Sequence, residues 1–195
     1  RTSARDVQHM ARGEYFYKMS KTSAAIWGAR IARGLATPDD ERTAAEALDT
    51  PAHTAAVVGK HMEHGGGPAI VFAVNVPHAV HLAEAFNAAG VRAAAVWEYS
   101  KKAGKCAHRE ASVKAALSGQ LEVLVNVDLL TEGFDWRPCA KAHIVRPTQS
   151  LGLYLQQVGR ALRTNPGKRE AIILDHAGNA RRHGLPDDDR VWTLE

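Results

Sequence analysis

One stretch near the carboxyl end carries polar residues at the spacing of a single helix face. Residues 151–163 have the 3.6-residue period of an amphipathic helix. Two guanidinium groups beside a glycine would suit a phosphate-rich ligand, because arginine can donate two parallel hydrogen bonds to its oxygens. The polar face comprises Gln156, Gly159, Arg160 and Arg163, and the opposite apolar face, predicted to pack on a core, comprises Leu151, Tyr154, Leu155, Val158 and Leu162.

A second group with chemical potential follows an apolar stretch in the middle of the chain. Residues 123–127 predict a buried strand, and the loop after it contains Thr131, Gly133 and Asp135. Glycine allows a ligand to approach the backbone, and a carboxylate can accept hydrogen bonds from a ribose or an arginine. Its place between a strand and the arginine-bearing helix favours a binding loop over an ordinary turn.

The elements that position both groups alternate between strand and helix. Such alternation predicts an α/β fold with a central parallel β-sheet flanked by helices, and it places functional loops at the carboxyl ends of the strands. The predicted strands are residues 69–74, 91–96, 121–127, 142–145 and 171–174, and the predicted helices between them are residues 77–89 and 109–117.

The glycines at 65–67 and Pro68 mark a predicted domain boundary. Thr50 and Pro51 have the residue types of an N-cap and a first helical position, so a helix is predicted to end at these glycines. We therefore predict a helical segment or linker at residues 1–66 and an α/β domain at residues 67–195.

Composition limits the class of protein. The 195 residues are 45% hydrophobic, enough for one domain with a buried core, and the net charge of +4 permits nucleic-acid binding without demanding it. Two cysteines fit a reducing compartment. Without a signal peptide or a membrane-length apolar run, a cytoplasmic location is expected. The chain does not begin with Met, so we expect it to be a piece of a longer protein.

Several of these stretches resemble superfamily-two helicases of the DEAD/DEAH type, in particular RadD-like and phage enzymes. The Gln-x-x-Gly-Arg-x-x-Arg pattern of residues 156–163 resembles motif VI, and Glu-Gly-Phe-Asp at 132–135 followed by Pro138 resembles motif V. Ile70–Phe72, continued by residues 73–75, resembles motif IV. Pro147–Ser150 leads into the arginine-bearing helix as in those enzymes. The likeness covers roughly residues 50–195.

This resemblance implies the C-terminal RecA-like lobe of an ATP-dependent DNA helicase or translocase. ATP and Mg²⁺ would bind between this lobe and an N-terminal RecA-like lobe that the sequence lacks. The sugar-phosphate backbone of DNA would contact this lobe. The implied catalytic residues are Arg160 and Arg163, as arginine fingers. The implied ATP-binding residues are Gly133, Asp135, Gln156 and Gly159, and the implied nucleic-acid contacts are Asn75, Asn126 and Thr131.

The signatures of the N-terminal lobe are missing. A P-loop ends in Gly-Lys followed by Ser or Thr, but the Gly-Lys pairs here are followed by His61, Cys106 and Arg169. Residues 171–175 resemble a Walker B strand but follow no P-loop, so they predict a strand that ends in a solvated Asp175. We therefore expect no ATP hydrolysis by the isolated lobe.

Other interpretations stay open from the sequence. A non-catalytic nucleic-acid-binding or regulatory module could keep the same fold, and the motor subunit of a restriction system would share the motifs. Cys106, His108, Cys139 and His143 could be zinc ligands, although their spacing is atypical. A loop with three lysines and two aromatic residues suits single-stranded nucleic acid but equally an ordinary surface loop: Lys101, Lys102, Lys105, Trp97 and Tyr99.

Overall fold

The structure is a computed structural model, and it describes residues 46–100, 104–128 and 135–190. The described strands are β1 (Ala69–Phe72), β2 (Ala93–Trp97), β3 (Tyr99–Ser100), β4 (Gly104–Lys105), β5 (Val123–Val127), β6 (Lys141–Ile144) and β7 (Ile172–Asp175). The described helices of five or more residues are α1 (Pro51–Glu63), α2 (Val76–Ala88), α3 (Arg109–Leu117), α4 (Leu151–Leu162) and α5 (Asn179–His183).

Five of the strands form one parallel sheet in the order β2-β5-β1-β6-β7. The central strand β1 is buried over its whole length, as its continuous apolar sequence predicts for a strand covered on both faces. Strands β3 and β4 form a separate antiparallel pair. All five predicted strands are confirmed, with bounds that shift by up to two residues. The predicted α/β class with a central parallel sheet is correct.

Local sequence signals explain where the helices begin. The side chains of Thr50, Asn75 and Ser150 each accept a hydrogen bond from the backbone N–H three residues later, at distances of 2.9–3.2 Å. Such caps satisfy backbone donors that have no partner within the helix. Helix α3 has the predicted bounds, although His108 provides no side-chain cap.

Two apolar clusters cover the two faces of the sheet. One joins α1 and α2 to the sheet through residues such as Val57, Leu82 and Phe86, and the other joins α4 to it through Tyr154 and Val158. Each large apolar side chain buried in this way contributes about 1.5–3 kcal/mol. Because Val57 lies in the same cluster as the sheet residues, α1 packs as part of the α/β core. The boundary near residue 66 stays a prediction, and residues 1–45 lie outside the described part of the chain.

Among the described residues, no helix combines the length and the apolarity that crossing a bilayer would require.

Candidate functional site

Helix α4 packs on the sheet, but with a different face from the one that its sequence predicts. Tyr154, Val158 and Ala161 are buried as expected of the apolar stripe, yet Gln157 and Arg160 are buried beside them, and Arg160 is only 8% exposed. Leu162, predicted to lie in the core, is 55% exposed. The helix is therefore turned about its axis toward Gln157 and Arg160. Small Ala161 can pack more closely on the sheet than bulky Leu162, which explains this direction of rotation.

The rotation leaves an open face on α4 that consists of Gln156, Gly159 and Arg163. Gln156 is exposed, whereas Gly159 and Arg163 are partly exposed. A Cβ atom added at Gly159 would meet no atom within 4 Å, so the domain itself does not require a glycine there. The open face is thus available to something other than this domain's own core.

Asp135 and Arg163 lie together at the edge of the open face. Arg163 Nη1 donates a 2.6 Å hydrogen bond to Asp135 Oδ1, and Arg137 Nε donates a 3.1 Å hydrogen bond to Asp135 Oδ2. These hydrogen bonds, from Arg163 first and Arg137 second, lower the pKa of Asp135. Since exposed ion pairs add little to stability, the pair matters mainly because it sets the direction of the Arg163 guanidinium.

Two of the predicted site residues, Thr131 and Gly133, lie outside the described residues. Asp135 follows them directly and is described. The structure therefore brings Asp135, Gln156, Gly159 and Arg163 to one side of the domain. It places Arg160 on the same helix but in the interface with the core.

The two predicted asparagine contacts occupy different environments. Asn75 caps α2, where its side chain accepts a 2.9 Å hydrogen bond from His78 N, and it lines a cavity of about 440 Å³ together with Trp97 and Asp128. Asn126 is 1% exposed, and its amide donates to Val71 O at 3.1 Å. That bond joins β5 to β1, and a nucleic-acid contact by either asparagine stays a prediction.

The aspartate that ends β7 is buried, so the prediction of a solvated Asp175 is wrong. Asp175 is 3% exposed and accepts hydrogen bonds from Ala177 N at 3.1 Å and Ala180 N at 2.7 Å. Burial raises the pKa of its carboxyl group, while these backbone donors lower it. Asp175 therefore organises the turn into α5, a role that its Walker B-like sequence context does not indicate.

A chain of buried histidines, which no motif in the sequence predicts, crosses the domain. His61 Nε2 lies 3.4 Å from Glu122 Oε1, His61 Nδ1 lies 3.3 Å from His143 Nε2, and His143 Nδ1 lies 3.1 Å from a third ring, at His176 Nε2. Glu122 also accepts a 2.7 Å hydrogen bond from Gly67 N, which lowers its pKa and keeps it ionised.

The ionised end of this chain fixes the tautomer of each ring. A carboxylate can only accept, so the hydrogen between it and His61 lies on Nε2. His61 Nδ1 then accepts from His143 Nε2, and His143 Nδ1 accepts from His176 Nε2. Burial lowers the pKa of all three imidazoles, with that of His176 reduced to about 3. The usable sequence signal was a histidine inside the buried strand β6, with its partners 82 and 33 residues away.

The geometry of Cys139 and His143 does not support the zinc interpretation. Cys139 Sγ donates to Lys141 O at 3.2 Å, burial raises its pKa to about 11, and both His143 ring nitrogens contact other histidines. No group of three or more His, Cys, Asp or Glu residues in the described ranges is placed to hold a metal ion.

The loop with three lysines and two aromatic residues is only partly described. Lys101 and Lys102 lie outside the described ranges, and Trp97 Nε1 donates a 3.1 Å hydrogen bond to Gly104 O.

Relatives of this chain include a phage protein and ATP-dependent helicases of yeasts, although no family model matches the chain. A 51.5 kDa protein of a Lactococcus phage (isolate 7-9) is 36% identical over 137 residues, 70% of this chain and 29% of that protein. A Schizosaccharomyces pombe protein described as a mitochondrial ATP-dependent helicase is 34% identical over 125 residues, 64% of this chain and 20% of that protein. The chain thus spans less than a third of these relatives.

Solved structures share the fold. A fragment of an HsdR subunit of a type I restriction enzyme from Vibrio vulnificus has a TM-score of 0.63 at 20% identity, and the match covers 80% of this chain and 32% of that one. The Escherichia coli DEAD-box protein SrmB has a TM-score of 0.54 at 20% identity, with 67% of this chain and 73% of that chain covered. The C-terminal domain of the DEAD-box protein Dbp5 has a TM-score of 0.52 at 16% identity, with 67% of this chain and 73% of that chain covered.

Proposed function

We propose that this chain, as the C-terminal RecA-like lobe of a superfamily-two helicase, serves as one half of an ATP-dependent DNA motor. In this proposal the lobe supplies an arginine that contacts a nucleotide held by a second lobe. The observation that carries the proposal is the open face of α4, where Arg163 projects beside Gly159 and is directed by Asp135.

The residues of the open face fit a nucleotide phosphate. Arg163 is partly exposed and charged, and the space beside Gly159 would let phosphate oxygens or another backbone come close. An arginine in this position stabilises negative charge that shifts during phosphoryl transfer. When bound, ATP with Mg²⁺ would supply the transferring phosphoryl group, and this chain would contribute the orientation of Arg163. Gln156, on the same face, would link the nucleotide to the bound nucleic acid.

The role of Arg160 in this proposal differs from that of Arg163. Its side chain is buried against the core, whereas Arg163 is 37% exposed. Arg163 is therefore the residue that we propose as the arginine finger. Arg160 would hold α4 in its rotated position and would reach a nucleotide only if the helix end moves when the lobes close.

A nucleic acid would lie across the carboxyl ends of β1, β2 and β5. The cavity of about 440 Å³ at this edge is lined by Asn75, Trp97 and Asp128, among others. A helix N-terminus can bind a nucleic-acid phosphate, and an aromatic ring can stack on a base, both without reading its sequence. DNA as the partner rests on the resemblance to RadD-like enzymes.

The isolated 195-residue chain should not hydrolyse ATP. The Gly-Lys pairs of its sequence lack the Ser or Thr of a P-loop, and positioned phosphates with a metal ion supply most of the catalysis in such motors. Phosphate release would be measured with the purified chain, with and without single-stranded DNA, against a protein in which the lobe is joined to a P-loop lobe. Turnover by the chain alone that disappears in Arg163→Ala would refute the proposal.

Binding of this chain to single-stranded DNA should be weak, independent of sequence and steeply dependent on salt. The modest net charge of +4 supplies a backbone-directed attraction, which weakens as salt removes the gain from counterion release. Fluorescence anisotropy with several labelled oligonucleotides would test this between about 50 and 200 mM salt, a range over which two to five phosphate contacts lose about 10- to 500-fold in affinity. A sharp preference for one sequence would instead favour a regulatory module that reads bases.

A further inference from the structure

Lys168 places its ammonium group among three backbone carbonyl groups. Its Nζ donates hydrogen bonds to Cys139 O at 2.6 Å, to Arg163 O at 2.8 Å and also to Ala161 O. The side chain is partly buried, and desolvation lowers the pKa of its ammonium group. An ammonium group has three hydrogens to donate, and here each one has an acceptor.

Two of these carbonyls lie at the carboxyl end of α4. The last four carbonyls of a helix have no partner inside it and form the negative end of the helix dipole, so a cation is favoured there. The backbone leaves the helix at Arg163, where ψ is 135° and the helical hydrogen-bond pattern stops. Lys168 thus holds the residue whose side chain extends over the open face.

The third carbonyl belongs to the segment that carries the partner of Arg163. Cys139 lies four residues after Asp135, and Cys139 N donates to Trp136 O at 3.1 Å, which closes the turn between them. Trp136 is 2% exposed and Cys139 is fully buried, so this segment is anchored in the core. A single ammonium group therefore connects the backbone of Arg163 to the turn that follows Asp135.

We propose that Lys168 is a positioning residue that fixes the Arg163 guanidinium against Asp135 and thereby aims it at the nucleotide. The second half of this inference rests on the proposed function, whereas the first half concerns this chain alone. Without the ammonium group, the α4 end and the 136–139 turn would lose their common anchor. The guanidinium would then sample several directions, and misplacement of a catalytic group by about 1 Å can lower a rate 100-fold.

The first experiment measures the ion pair in the chain itself. The carboxyl pKa of Asp135 would be followed by NMR in the parent and in Lys168→Met, Lys168→Arg and Arg163→Ala. Because Arg163 is the main cause of the lowered pKa, Lys168→Met should raise that pKa toward the value in Arg163→Ala, and Lys168→Arg should restore most of the lowering. Lys168→Gln keeps two donors, so it provides the measurement if the Met variant does not fold.

A matched control is available on another helix. Lys114 lies in the last turn of α3 and is exposed. Lys114→Met removes the same charge from a helix end and should leave the Asp135 titration unchanged. If Asp135 titrates as in the parent in both Lys168→Met and Lys168→Gln, the positioning role of Lys168 is refuted, whatever the effect on stability.

The second experiment measures hydrolysis in the full-length motor. Lys168→Met should lower kcat about 10- to 100-fold, with little change in KM for ATP, and Lys168→Arg should recover most of the rate. The double variant with Arg163→Ala should be no slower than Arg163→Ala alone, since Lys168 acts through Arg163. If the rate losses of the two single variants multiply in the double variant, the inference is overturned. If Lys168→Met raises the Asp135 pKa but Arg163→Ala hydrolyses ATP at the parent rate, the proposed function fails and the positioning role in the chain stands.

Discussion

Arg163→Ala in the full-length motor is expected to lower kcat for ATP hydrolysis about 10³- to 10⁵-fold, the range found for arginine fingers in phosphoryl transfer. KM for ATP should change much less, because the guanidinium pairs best with charge that develops only in the transition state. The melting temperature should barely change, because Arg163 is partly exposed and its ion pair with Asp135 lies at the surface. Steady-state kinetics and a melting curve on the same preparation would measure all three quantities.

Three further variants separate this role from a structural one. Arg163→Lys should not restore the rate, because lysine lacks the planar pair of donors. Val158→Asp buries an unpaired carboxylate at a site that is 1% exposed and should unfold the domain. Arg160→Ala removes a buried side chain, so its main effect should be a lower melting temperature. A loss of rate in this variant would therefore not by itself indicate a catalytic role. An Arg163→Ala motor that works at the parent rate would exclude the arginine-finger role.

Acidification should destabilise this chain progressively as the pH falls below about 6.5, because buried histidines must then be protonated. His78 and His176 have pKa values lowered to about 4 and about 3, mainly by burial, while both titrate near 6.5 in an unfolded chain. Below pH 6.5 the unfolded state therefore binds more protons than the folded state, and stability falls as the pH falls. Two such groups give a slope of roughly 2–3 kcal/mol per pH unit near pH 5, against a total stability of about 5–15 kcal/mol.

Other charged groups near these rings act in both directions. Asp49 favours the protonated form of His78, whereas Lys60 disfavours that of His176. The raised pKa of Asp175 has the opposite effect on stability. Because its carboxyl group holds a proton more tightly in the folded state, it makes the fold more stable as the pH falls. Neither effect cancels the cost of placing protons on buried rings. The window of lost stability thus runs from pH 6.5 down to about 4 for His78 and about 3 for His176.

The variant that tests this prediction is His78→Leu. His78 is fully buried and has no hydrogen-bond partner for either ring nitrogen in the described part of the chain, so leucine removes an unpaired polar group. The slope of unfolding free energy against pH should flatten. His81→Gln is the control, because the His81 side chain is 55% exposed beside Asp49. Equal slopes for His78→Leu and the parent, from urea titrations between pH 8 and pH 4, would contradict the prediction.

Local patterns predicted the fold well because each strand and helix here is specified by its own residues. The apolar run in β1, the Thr50 and Asn75 caps and the Ser118-Gly119 stop all act within a few residues of sequence. The rotation of α4 could not be predicted in this way. Whether Arg160 or Leu162 is buried depends on how closely Ala161 approaches the sheet, which only the assembled core determines.

The site was predictable only where the sequence carried a pattern. The spacing predicts a common face for Gln156, Gly159, Arg160 and Arg163. The structure leaves three of them at least partly exposed but buries Arg160, so this prediction is only partly correct. The Lys168 contacts and the histidine chain join residues that are far apart or have no motif, such as His61 and His143. Their physical meaning comes from distances and burial, which the sequence does not contain.

The strand order has a consequence for how this chain reaches its native state. Strands β1 and β2 are consecutive among the sheet strands in sequence, yet β5 lies between them in the sheet. Among the described strands, β2 pairs with β5 alone and β1 pairs with β5 and β6, so neither has a described partner until residues 123–127 have been synthesised. During translation, the backbone hydrogen-bonding groups of these two apolar strands therefore wait for β5. Such non-local pairing slows folding, so this interval is when the chain is most exposed to aggregation and has most to gain from a chaperone.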